Sequence, residues 1–81
     1  MLFEVVEVKT KAGYRSAERP IAFLHHELWH EIDEVIDRWY EGGMDPRRPI
    51  MTYFKVHTRG DQIFLLRYNQ KRDVWALMIS S

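Results

Sequence analysis

The stretch Ile21-Ala22-Phe23-Leu24-His25-His26-Glu27-Leu28-Trp29-His30-Glu31-Ile32-Asp33-Glu34-Val35-Ile36-Asp37-Arg38-Trp39-Tyr40 decides the fold. Its apolar positions Leu24, Leu28, Ile32, Val35, Ile36, Trp39 and Tyr40 keep the i, i+3, i+4 spacing of an amphipathic helix. Pro20 suits a first helical turn and Gly42 a helix end. The competing reading is a hairpin, with one strand from Ile21 to His25, a tight turn near Glu27, and a second strand from Trp29 to Trp39. Periodicity by itself favours the helix.

The flanks read as strands. Tyr53-Phe54-Lys55-Val56-His57-Thr58 alternates, with Phe54 and Val56 on one face and Tyr53, Lys55 and His57 on the other. Arg59-Gly60-Asp61 supplies a turn, and its Gly60 fits the turn geometry. Gln62 to Tyr68 then returns as a β-rich run. After the polar turn Asn69 to Arg72, Asp73 to Ile79 completes a three-stranded antiparallel meander. Leu2 to Lys9 is a further strand, Gly13 breaks it, and Tyr14-Arg15-Ser16 resumes pairing. Gly42-Gly43 and Asp45-Pro46-Arg47-Arg48-Pro49 form a loop, because two prolines do not sit in a central ladder.

Eighty-one residues make one domain, 1–81. A chain this short buries only about 60% of its unfolded surface, so its core must be dense. Four Phe, four Tyr and three Trp supply one. The absence of cysteine excludes disulfides and thiolate chemistry. No apolar run is long enough for a transmembrane helix. Met1 to Lys9 carries Glu4 and Glu7 and no basic n-region, which argues against a signal peptide and for the cytoplasm.

Zero net charge hides an uneven distribution: +1 over residues 1–20, −6 over 21–45 and +5 over 46–81. Attraction between the two charged halves within the fold is the plain reading. A basic face from Arg47, Arg48, Lys55, Arg59, Arg67, Lys71 and Arg72 is the sharper one, and it would meet phosphates.

Glu18-Arg19-Pro20, Phe23, Ile32, Glu34-Val35-Ile36-Asp37-Arg38-Trp39, Tyr53-Phe54-Lys55-Val56, Gly60-Asp61 and Leu65-Leu66-Arg67 occur in that order. In order and spacing over residues 18–79 the chain resembles a family of short bacterial proteins of unknown function. Domains similar to that family sit at the tail of catalytically incomplete Y-family polymerase-like proteins of the bacterial mutagenesis machinery. The resemblance implies a hairpin after Phe23, with a glycine at its turn where this chain has Glu27 or Leu28. It also implies a setting in DNA repair, and no established activity.

Weighed together, these readings predict a mainly β fold: a small antiparallel β-barrel or strongly bent sheet with the C-terminal meander. The alternative is α+β with one helix within residues 21–41, residues 33–40 being its place.

His26-Glu27-Leu28-Trp29-His30 matches the zinc-protease pattern H-E-x-x-H. On a helix, His26 and His30 would share one face, with Glu27 placed to activate a metal-bound water. Catalytic zinc also needs a third protein ligand and a cleft, and the hairpin reading scatters the three residues. Gly42-Gly43 lacks the context of a phosphate-binding loop. Ser16, Ser80 and Ser81 have no His/Asp partners in sequence, and Arg59-Gly60-Asp61 is explained as a turn.

Trp39 reads as the largest piece of the core, with Asp37 paired to Arg19 or Arg38 at its rim. The functional reading makes Trp39, Tyr40, Tyr53 or Tyr14 a stacking surface flanked by arginines. The expectation is a non-catalytic binding module, monomeric or homodimeric, that uses no cofactor. Its binding residues are Arg19, Arg38, Trp39, Arg47, Arg48, Tyr53 and Arg67, and its partner is a protein or, weakly, a nucleic acid. A metal-binding protein or zinc hydrolase using His26 and His30 is the rival.

Overall fold

The computed structural model describes residues 1–11, 19–42 and 44–80. The pairing expected of Tyr14 to Ser16, the Gly13 break, and Glu18, Gly43 and Ser81 lie outside them. Among the described residues there are seven strands and no helix. They are β1 (Leu2–Val5), β2 (Val8–Thr10), β3 (Pro20–His25), β4 (Leu28–Glu41), β5 (Met51–Thr58), β6 (Ile63–Asn69) and β7 (Val74–Ser80). All pairs are antiparallel, in the order β1-β7-β6-β5-β4-β3-β2, and the sheet curls into a half-barrel. The mainly β expectation holds, with the meander as β5, β6 and β7. The helix within residues 21–41 does not form.

The helical spacing on that segment has a β explanation. Strand β4 pairs β5 with two register shifts, at Asp33 and at Ile36, each of which inserts one extra residue. A bulge breaks the period of two and bends the strand. Ile32, Val35 and Arg38 therefore stand opposite Thr58, Val56 and Phe54 and share the inner face. A three-residue interval that reads as helix arises from a strand bulged twice.

The β3–β4 turn consists of His26 and Glu27, with φ of 53° and 64°. His25 pairs with Leu28, so the loop has two residues, both left-handed. This is the type I′ geometry that matches strand twist and normally recruits Asn or Gly.

Two other turns also hold a left-handed residue that is not glycine. In the β5–β6 turn it is Asp61, with φ of 61°, and not Gly60. The turn geometry thus does not require Gly60, contrary to the sequence expectation. In the β6–β7 turn it is Asp73, with φ of 55°, whose carboxylate accepts the Tyr68 hydroxyl at 2.7 Å. Asp and Asn tolerate this conformation better than most residues. The β4–β5 loop turns on Asp45: its carbonyl accepts the Arg48 N–H at 3.0 Å and its carboxylate the Arg47 N–H at 3.0 Å.

The core fills the concave side with Phe23, Phe54, Val56, Leu66, Tyr68, Trp75 and Leu77, and Val6, Val8, Ile32, Val35 and Phe64 pack against it. Each large apolar side chain buried there contributes about 1.5–3 kcal/mol before chain entropy. Among the tryptophans, Trp75 belongs to this cluster and Trp39 does not.

Strands β1 and β2 occupy the two edges of the sheet, yet they are consecutive in the chain. Val6 N–H donates to the Trp75 carbonyl at 3.1 Å, and Leu24 N–H donates to the Glu7 carbonyl at 2.9 Å. Residues 2–10 thereby run along β7 and then along β3, and cover both edges. Uncovered edges invite pairing with other chains.

Candidate functional site

Alternation along β5 and β6 sends Tyr53, Lys55, Leu65 and Arg67 to the convex face, away from the core. Trp39 lies opposite Tyr53, and Tyr53 opposite Arg67. The Trp39 and Tyr53 rings stack with centroids 5.4 Å apart and planes 9° apart. Phe3 tilts against Tyr53 at 6.4 Å, and the Arg67 guanidinium lies 3.9 Å over the Phe3 ring. These four side chains make a layered aromatic platform.

Tyr53 is covered by its neighbours, whereas Trp39 remains 38% exposed. The expectation of Trp39 as a core residue is thereby corrected. Its row of the sheet faces outward, and its ring is stacked on Tyr53. Burial pushes the Tyr53 phenol above its usual range, helped by its hydrogen bond to Glu41. The phenol stays protonated and donates to the Glu41 carboxylate at 3.0 Å. Beside Trp39 lies an open cleft of about 220 Å³, with Lys55, Ile63, Leu65 and Met78 among its walls.

The other expected binding residues do not join this platform. Arg38 is on the inner face, its guanidinium 5.1 Å over Phe54 and hydrogen-bonded to the Tyr40 hydroxyl at 2.8 Å. Asp37 accepts the Arg38 backbone N–H at 2.8 Å, in place of the expected ion pair between the two side chains. Arg47 and Arg48 lie in the β4–β5 loop, where Arg47 is held by Asp45 at 3.3 Å. Arg19 is exposed just before β3. Of the seven, Trp39, Tyr53 and Arg67 come together.

The expected basic face is interrupted. Acidic β4 is hydrogen-bonded to β5 from Ile32 to Glu41, which sets carboxylates beside some of the bases. Asp37 stands opposite Lys55, and Glu31 lies 3.5 Å from Arg59. These neighbours are the kind of contact that the plain reading of the charge asymmetry, attraction within the fold, calls for.

His57 makes the tightest of these links. Its ring nitrogens lie 2.7 Å from the carboxylate of Asp33, at the first bulge, and 2.9 Å from that of Asp61, in the β5–β6 turn. Hydrogen bonding to Asp33, then to Asp61, raises the His57 pKa above its usual 6.5. A raised folded-state value means that protonated His57 stabilises the fold fully below the unfolded-state value of about 6.5. That contribution is lost as pH rises through the higher folded-state value. The stability gap between wild type and His57→Asn is therefore expected to be widest near pH 6 and to narrow toward pH 8.5, measured by urea unfolding. A gap independent of pH would remove His57 from this role.

The His26 and His30 pair is not presented on a helix face, since the β3–β4 turn separates the two residues. The Phe23 and His30 rings stack at 5.0 Å, which sets His30 against the core. Glu4, His25 and His26 instead place one donor atom each within 4.8 Å of one another. Sequence spacing pointed to the histidines but not to Glu4. Its only local signal was an acid alternating in phase with the inner face.

Among the described residues no helix is long and apolar enough to cross a membrane. Comparison with protein-family models, with curated proteins and with solved structures found no match.

Proposed function

We propose that this chain is a non-catalytic binding module whose recognition surface is the convex aromatic platform. The observation that carries the reading is the exposed Trp39 ring, held flat against Tyr53 beside an apolar cleft. Ile63, 58% exposed, extends the apolar surface at the cleft. A preoriented aromatic ring loses little conformational freedom on binding, which is why Trp and Tyr dominate recognition surfaces.

The occupant is a polypeptide segment that inserts an apolar or aromatic side chain into the cleft, with Lys55 at the wall to meet an acidic neighbour. A protein partner is favoured over nucleic acid because four of the arginines are turned to contacts within the fold. Arg47 is held by Asp45, Arg59 lies beside Glu31, Arg67 covers Phe3, and Arg38 lies on the inner face over Phe54. The setting in DNA repair or another nucleic-acid assembly belongs to the proposal and rests on the order of the sequence motifs alone.

The test is a panel of labelled peptides carrying single aromatic or aliphatic anchors, read by fluorescence anisotropy, with a single-stranded oligonucleotide alongside. Binding of one anchor class is expected, and Trp39→Ala should weaken it at least tenfold. The same variant should cost only about 1–2 kcal/mol of stability, the scale of a lost ring stack and partial burial. Salt-sensitive oligonucleotide binding abolished by Arg67→Glu would give the surface to nucleic acid instead. A concentration-dependent dimer lost in Trp39→Ala would give it to a second copy of the chain.

A further inference from the structure

Strands β1 and β3 are far apart in the strand order, yet Glu4 Oε2 lies 3.2 Å from His25 Nε2. This contact crosses the seam where residues 2–10 pass from one sheet edge to the other. Glu4 stands opposite Leu77, a residue of the core, so its carboxylate leans toward the inner side among apolar neighbours. His25 is largely shielded there, with 17% of its side chain exposed.

His26 completes the cluster because of the turn. In a continuous strand, adjacent side chains point to opposite faces. The left-handed φ of 53° at His26 ends that alternation, and its ring lies 3.8 Å from that of His25. Two imidazoles and one carboxylate, each able to offer a donor within 4.8 Å of the others, result.

We infer that Glu4, His25 and His26 form a binding site for a divalent first-row transition-metal ion, with Zn²⁺ the best match. Imidazole nitrogens with a carboxylate oxygen are a donor set that suits zinc. Ligands at the usual bond lengths of about 2.0–2.2 Å sit about 3.4 Å apart around a tetrahedral ion. From donors within 4.8 Å of one another, binding would require the exposed side chains of Glu4 and His26 to rotate inward to that spacing. The shielded His25 serves as the fixed member. Three protein ligands leave one coordination position open, and it faces a cleft of about 370 Å³ walled by Phe64, Leu77, Met78 and Ile79.

The ion would tie β1 to the β3–β4 hairpin across the seam. It would add to a fold that the aromatic core already holds, so the apoprotein remains folded. The two clefts share Phe64 and Met78 as walls, but none of the three ligands belongs to the convex platform, and the metal site does not depend on it.

Zinc chloride titrated into the full metal-free chain, followed by calorimetry and by melting temperature, tests the inference. One ion per chain is expected, with a rise in melting temperature of about 11–22 °C at a hundredfold excess over Kd. Glu4→Gln, His25→Gln and His26→Asn should each weaken binding about tenfold or more, while far-UV spectra confirm that each variant is folded. His57→Asn, which alters the other cluster of histidine and carboxylates, should leave affinity unchanged. No binding up to millimolar zinc overturns the site. So does binding that survives both His25→Gln and Glu4→Gln, or binding abolished by His30→Gln with Glu4→Gln unaffected, which would return the metal to the H-E-x-x-H pair.

Discussion

Phe54→Ala is expected to lower the free energy of unfolding by about 3–5 kcal/mol. Phe54 is 1% exposed and sits at the centre of the concave face, where it meets Trp75 at a ring distance of 5.3 Å. The Arg38 guanidinium lies across its ring. Truncation removes the ring from the core and leaves a void between β4, β5 and β6 that neighbours on a curled sheet only partly fill. The cationic head of Arg38 would then border that void. Domains of this size have a total stability of about 4–12 kcal/mol. The loss is therefore a large share of it, and urea unfolding should show a much lower midpoint. A loss below about 1.5 kcal/mol would mean that the core is centred elsewhere.

The second large effect concerns two glycines that look alike in the sequence and differ in the fold. Gly42 has φ of 97°, and a Cβ there would come 2.9 Å from the backbone carbonyl oxygen of Pro49. Neither the dihedral nor the contact is relieved by rotating a side chain. Gly42→Ala is expected to cost about 2–3 kcal/mol, at the upper end of the range for a strained backbone position. Gly60 has no such φ, and a Cβ there would meet only Thr58 Oγ1 at 3.8 Å. Gly60→Ala should instead stabilise by about 0.4–1 kcal/mol, because alanine restricts the unfolded chain more than glycine does. Thermal melts of the two variants should therefore move in opposite directions. Movement in the same direction would contradict the loop geometry.

Strands that alternate without interruption were legible in the sequence. Residues 53–58 divide between the two faces of the sheet as their pattern predicts, because an unbulged strand keeps a strict period of two. Strand β4 was not legible in this way. The extra residues Asp33 and Ile36 shift its phase twice and produce a helix-like interval. The hairpin before it, the alternative to the helix in the sequence, is what forms, with its turn at His26 and Glu27, although neither residue is a usual turn signal.

Trp39 and Trp75 illustrate a further limit. Both lie on strands with apolar neighbours, and only the register across β5 and β6 sends one outward and the other inward. The contact of Glu4 with His25 depends on β1 meeting the β3–β4 hairpin across the seam. No local pattern encodes a contact of that sequence separation.

Coverage of both sheet edges by residues 2–10 also shapes the order of folding and opening. Pairing of β1 with β7 joins nearly opposite ends of the chain, so its loop-closure entropy is recovered only after the meander exists. The hairpins can form early, and the seam closes last. Opening reverses the sequence: one peeling event bares the β7 and β3 edges together. The same segment of a neighbouring molecule fits that gap as well as the original does, so reciprocal strand exchange is the natural misassembly of this fold at high concentration.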